Sequence, residues 1–148
     1  MSKQSVVFLC AHNAARNQMA EALLRKHAGD RFDVASAGLE PTAIHPLAVR
    51  AMNEVGVDLS GQRAKGLDPF LGKTTFHIAI IVCERTQKNC LHIYPFALQR
   101  LYWPFEDPAE CRGTEGEQLQ KFRDVRDQIE ARIFELLKTS AASSKAIA

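Results

Sequence analysis

Val6-Val7-Phe8-Leu9-Cys10-Ala11-His12-Asn13-Ala14-Ala15-Arg16-Asn17 is the stretch on which the fold turns. Val6 to Leu9 is a short apolar run rich in β-formers and reads as a buried strand. A loop follows, and then Gln18 to Ala28 carries Met19, Ala22, Leu23 and Lys26 at helical spacing, stopped by Gly29-Asp30. Working outward, the alternation repeats. Phe32 to Ala37 reads as a second strand, and a helix opens on Pro46, carries Leu47, Val49, Met52 and Val55, and closes at Gly56. His77 to Val82 is the most apolar run and reads as a central strand, while Leu98 to Trp103 supplies a fourth. From Glu115 to Lys138 a long amphipathic helix shows in Leu119, Phe122, Val125, Ile129, Ile133 and Leu136. Strands alternating with helices predict an α/β domain with a parallel sheet covered on both faces. Residues 1–138 form one domain in this reading, and 139–148, rich in Ser and Ala, a disordered tail.

The rest of the composition excludes more than it assigns. At 148 residues the chain has the size of one domain, large enough for a core without staples. A net charge of +2 with no dense basic run gives nucleic acid and membrane surfaces no support. No apolar stretch approaches the roughly 20 residues that span a bilayer, and the N-terminal run is too short for a secretory segment. The expected compartment is the cytoplasm, where four cysteines are thiols with tasks rather than structural disulfides. Cys83, Cys90 and His92 do not follow a usual zinc spacing, and neither a metal nor a cofactor is expected.

In parallel sheets ligands bind beyond the carboxyl ends of the strands, which is where Cys10 stands. A helix N-terminus offers unpaired N–H groups and a partial positive charge, and so holds tetrahedral oxyanions. The same field, with a guanidinium nearby, lowers a thiol pKa and populates the thiolate. Arg16 supplies a planar fork that grips two oxygens and stabilises transition-state charge. The small residues Ala11, Ala14 and Ala15 let the backbone of the loop, with His12, Asn13 and Asn17, close around the anion. Taken alone, these residues make Cys10 a nucleophile towards an oxyanion such as phosphate, sulfate or arsenate.

Cys-x5-Arg at the end of the first strand resembles the low-molecular-weight tyrosine phosphatase superfamily. Ser36-Ala37-Gly38, Met52-Asn53-Glu54-Val55-Gly56-Val57-Asp58 and Trp103-Pro104-Phe105-Glu106-Asp107-Pro108 resemble its arsenate reductase branch. The resemblance implies a three-layer α/β/α fold with a four-stranded parallel sheet in the order 2-1-3-4. It selects Asp107 over Glu106 as the general acid. It also implies a redox relay through Cys83 and Cys90, from Cys10 to Cys83 and then Cys83 to Cys90, with thioredoxin reducing the last disulfide and a glutathione route as the alternative reductant. Were 83–90 helical, the two Cα atoms would lie about 10 Å apart. A disulfide tolerates no more than ~7 Å, so that segment must rearrange during turnover. Cys111 has no place in the relay.

Two positions depart from the family pattern. Asn17 stands where relatives carry a hydroxyl that stabilises the thiolate, and an amide can donate similarly. Some relatives bind potassium near the loop; Asn13, Glu21 and Ser36 match its ligands, but Lys65 takes the fourth place, where its ammonium would substitute for the ion. The favoured expectation is a monomeric arsenate reductase using Cys10, Arg16, Asp107, Cys83 and Cys90. A tyrosine phosphatase using Cys10, Arg16 and Asp107 is the alternative, disfavoured because Ala109-Glu110 replaces the aromatic pair that grips phosphotyrosine. The third reading is a non-catalytic oxyanion-binding module.

Overall fold

The apolar runs become four parallel strands, β1 (Gln4–Cys10), β2 (Phe32–Gly38), β3 (Phe76–Ile81) and β4 (Ala97–Tyr102), in the order β2-β1-β3-β4. This is the order expected from the resemblance. Among the described residues, three helices, α1 (Arg16–Ala28), α2 (Pro46–Asn53) and α3 (Glu115–Ile147), accompany them, with a 3-10 turn at Pro108–Glu110. The computed structural model describes residues 4–10, 15–38, 43–59, 61–62, 75–82 and 97–147, with 140–147 as backbone.

β1 decides the architecture because it is flanked on both sides. Val6, Val7, Phe8 and Leu9 are all fully buried, which an unbroken apolar run permits and an alternating one would not. Its register against β2 ends at Cys10 opposite Gly38, and against β3 at Leu9 opposite Ile81. Beyond the strands the ladder continues: Val82 N–H donates to Leu9 O at 3.0 Å, Trp103 N–H to Ile81 O at 2.8 Å and Phe105 N–H to Val82 O at 3.2 Å. The chain after β4 is thereby carried back towards the end of β1.

The helices differ from the sequence reading in physically informative ways. α1 starts at Arg16 rather than Gln18, and every residue from Arg16 to Leu24 is buried. Polar Arg16, Asn17, Gln18 and Glu21 lie in the core and hide the apolar stripe. Lys26, expected on that stripe, is exposed and its Nζ donates to Val55 O at 3.2 Å. α2 is followed by Gly56 at φ +77°, the left-handed conformation that glycine adopts without steric cost. α3 continues to Ile147, past the Lys138 boundary at which the sequence reading ends the helix and begins a disordered tail. No Gly or Pro interrupts 139–147, and its alanines are strong helix formers.

Because Phe8 fills the centre of the sheet and packs on Trp103 at 6.1 Å between ring centroids, truncating it leaves a cavity the sheet cannot close. Phe8→Ala is expected to lower unfolding free energy by about 3–5 kcal/mol in urea titration, and Phe8→Leu by clearly less.

Candidate functional site

Cys10 ends β1 as a buried thiol, 5% exposed, and α1 begins immediately beyond Ala15. Ala15 (φ −137°, ψ −76°) supplies no side-chain cap to the helix. The first turn of α1 follows the strand that carries the thiol.

Arg16 occupies the first turn of α1 and is only 2% exposed. A buried guanidinium demands partners. Nη1 donates to the carbonyl of Phe105 at 3.0 Å, and Nη2 lies 3.5 Å from Asp107 Oδ2. Sequence reasoning assigned Arg16 to the anion alone; its ties to the segment after β4 were missed, since nothing local announces a contact with a backbone carbonyl 89 residues away. With five N–H donors in a rigid fork, one guanidinium can hold that segment and still face an anion.

Asp107 makes two contacts, one local and one distant. Oδ1 accepts from Ala109 N–H at 3.0 Å and so caps the 3-10 turn, while Oδ2 faces Arg16. Glu106, the local competitor, is turned away and pairs with Lys121 at 3.0 Å. Trp103 and Phe105 are buried, 6.4 Å apart between centroids, and form core rather than a ligand cage.

Asn17 is fully buried, and its Nδ2 donates to Ala37 O at 2.9 Å. That bond ties α1 to the end of β2 and uses one of the two hydrogens of the amide. Its Oδ1 is buried without a hydrogen-bond partner, an arrangement that costs on the order of 1–3 kcal/mol. Glu21 and Ser36 do come together: the Ser36 hydroxyl donates to Glu21 Oε1, and Arg25 Nη2 reaches Glu21 Oε2 at 2.6 Å. Arg25 Nη2 also donates to Val34 O at 2.8 Å. Both carboxylate oxygens are engaged by donors, one of them cationic, which weakens the attraction of this pair for a monovalent metal ion. The i,i+4 spacing of Glu21 and Arg25 was the readable signal. Ala11, His12, Asn13, Ala14, Lys65, Cys83 and Cys90 lie outside the described residues. Cys111 is a half-buried thiol whose Sγ contacts Arg112 O at 3.6 Å.

Among parallel α/β folds, a cysteine ending the central strand, with an arginine in the first turn of the next helix, marks proteins that bind tetrahedral anions at a thiol. The chain belongs to the low molecular weight phosphotyrosine protein phosphatase family, which it matches over residues 5–146. An arsenate reductase of Bacillus licheniformis is 40% identical over 139 residues, which span 94% of this chain and 99% of that protein. Among solved structures, an arsenate reductase in the phosphate binding state superposes with a TM-score of 0.77 at 30% identity, covering 92% of this chain and 98% of that one. A thioredoxin-dependent arsenate reductase of Corynebacterium glutamicum superposes at 0.69 with 30% identity, over 95% of this chain and 63% of that one.

The engagement of Glu21 by Arg25 and Ser36 makes a prediction about ions. Turnover measured at constant ionic strength in potassium and in sodium chloride is expected to agree, and strong activation specific to potassium would overturn this reading of Glu21.

Proposed function

We propose that the protein reduces arsenate to arsenite, with Cys10 as nucleophile, Arg16 as anion clamp, Asp107 as acid, and Cys83 and Cys90 as the thiols that take up the oxidation. The observation that carries the reading is the contact of buried Arg16 with Asp107 beside the carboxyl end of β1. The reductase relatives, and two further cysteines after β3, favour reduction over hydrolysis.

The chemistry then runs in balanced steps. The Cys10 thiolate attacks arsenic, an As–S bond forms, and one As–O bond breaks; the departing oxygen takes the proton of Asp107 and leaves as water. The Cys83 thiolate attacks the Cys10 sulfur. An S–S bond forms, and the As–S pair of electrons stays on arsenic, which departs as arsenite. Cys90 then attacks Cys83 and releases Cys10 as a thiolate. A dithiol reductant of the thioredoxin type reduces the Cys83–Cys90 disulfide and closes the cycle. Support for that partner comes from the thioredoxin-dependent relative. We place the protein in the cytoplasm as a monomer; among the described residues no helix is long and apolar enough to cross a membrane.

Cys10, Arg16 and Asp107 would also serve hydrolysis of a phosphate ester, the reaction in the family's name. Water then releases the phosphorylated cysteine, and no second thiol is needed. The two activities separate in one set of variants. Arsenate-dependent oxidation of reduced thioredoxin is expected from wild type and lost in Cys10→Ser, Cys83→Ser and Cys90→Ser. Hydrolysis of para-nitrophenyl phosphate should require Cys10 alone. Full thioredoxin turnover without Cys83 or Cys90 would falsify the relay. Asp107→Asn should lower kcat on arsenate by about 10²–10⁴ while leaving the fold intact by circular dichroism. Arg16→Lys, which keeps the charge but loses the fork that reaches Phe105 and Asp107, should lose about 10²–10³ in kcat/KM.

A further inference from the structure

Three consecutive residues open α1, and each sends its side chain to a different part of the chain. Arg16 reaches the Phe105 carbonyl and Asp107 beyond β4, and Asn17 reaches the Ala37 carbonyl in β2. Gln18, fully buried, meets Gln62: the Gln62 Nε2 donates to Gln18 Oε1 at 2.6 Å and to the Gln18 carbonyl at 3.2 Å. These ties hold a turn that lacks the usual fastening. Ala15 at the N-cap offers no side-chain acceptor, whereas Ser, Thr, Asp or Asn there would secure the first turn from within. The turn is held from outside instead, by hydrogen bonds to residues 89, 20 and 44 positions away in the sequence.

The orientation of Gln62 is set by its neighbours. Arg25 Nη1 lies 3.3 Å from Gln62 Oε1, and because a guanidinium can only donate, the atom facing it is the amide oxygen. The amide nitrogen is then left to Gln18, where its two hydrogens meet two acceptors. Arg25 is itself placed by Glu21 at 2.6 Å and by the Val34 carbonyl at 2.8 Å. The backbone of Gln62 is anchored as well: its N–H donates to the carbonyl of Leu59 at 2.9 Å, and Leu59 is buried in the core. A half-buried amide with both ends engaged and its backbone fixed holds one geometry. Gln18 lies in the same helical turn as Arg16, so a displacement at Gln18 carries through the helix backbone to the guanidinium.

We propose that Gln62 is a positioning residue for the oxyanion: through Gln18 it fixes the first turn of α1, and so sets Arg16 for the anion before one is bound. The proposal rests on the reading of Arg16 as the anion clamp. Its sense follows from which state needs the tie. In the free protein an uncapped turn that has lost one of its three ties samples more conformations, and only some of them present the guanidinium correctly. Affinity falls by the fraction that is competent. Once the anion is bound, its own contacts with Arg16 restrain the turn and replace the missing tie. Loss of Gln62 therefore falls on KM and on the affinity for an unreactive anion, and only weakly on kcat.

The test uses the full chain, with inorganic phosphate as the unreactive probe and all measurements made well below Tm. Gln62→Met keeps the length of the side chain and removes its hydrogen bonds. It is expected to weaken phosphate about fivefold by isothermal titration calorimetry and to raise KM for arsenate by the same factor, with kcat changed by less than about twofold. A tie that served the fold alone would lower Tm and leave the affinity of the folded protein untouched. Unchanged phosphate affinity in folded Gln62→Met therefore overturns the proposal, as does a loss confined to kcat. Gln62→Asn keeps the amide but is one methylene too short to reach Gln18; it should show the same loss, so the result does not depend on how methionine packs. Gln18→Met removes the other side of the contact. If the two residues act as one strut, the double variant loses clearly less than the product of the single losses, and losses that multiply sink the idea. Wild type that binds no phosphate overturns the clamp reading of Arg16 and the role of Gln62 with it, whereas wild type and variants that bind it equally overturn the role of Gln62 alone.

Discussion

A buried guanidinium is the constraint to which the rest of this structure answers. Arg16 is almost wholly removed from water, and a charge so placed is tolerable only when partners surround it. It finds them in the Phe105 carbonyl and the Asp107 carboxylate, both delivered by chain that follows the last strand. Losing either partner would leave a buried positive charge under-satisfied, so the ends of β1 and β4 are bound to one another through the first turn of α1.

The delivery is a matter of sheet geometry. In a parallel sheet every strand ends on the same side, and the order β2-β1-β3-β4 puts β1 between the strand that precedes α2 and the strand that leads to β4. The hydrogen-bond ladder running past the strand ends steps the chain inward, from Leu9 to Val82 and from Val82 to Phe105. Three separate segments are therefore joined beyond the sheet: Gly38 lies beside Cys10 in register, Asn17 of α1 reaches Ala37 of β2, and Arg16 of α1 reaches Phe105 and Asp107 from beyond β4. Asp107 could not face Arg16 if Phe105 were displaced, because the same backbone segment makes both contacts.

Those parts of the molecule governed by local pattern were legible in the sequence. The four apolar runs became strands within a residue or two of their expected ends, and the Pro46 start of α2 was written in residue chemistry, although the helix ends at Asn53, before Val55 and Gly56. Cys10 and Arg16 could be paired because strand, loop and helix succeed each other within a short stretch. What could not be read was set by partners distant in the chain. The all-round burial of α1 contradicts an amphipathic stripe, since Arg16, Asn17 and Glu21 enter the core to meet Phe105, Ala37 and Ser36. The tie of Asn17 to β2 was unreadable for the same reason. The helical backbone beyond Lys138 reflects a propensity that a search for apolar periodicity does not weigh.

The division of labour between loop and thiols follows from electron counting. An oxyanion cradle with one thiol and one acid can transfer a group to water, but it cannot change the oxidation state of the group, because every bond it makes and breaks is heterolytic with the pair on oxygen or sulfur. Reduction requires that sulfur leave without its pair, which happens only when a second thiolate attacks it. In the proposed mechanism the Arg16–Asp107 contact serves the first step common to both chemistries, and the choice between them belongs to the cysteines after β3. This is why the site can sit on a family fold shared with phosphatases while its closest chemical logic is that of a reductase.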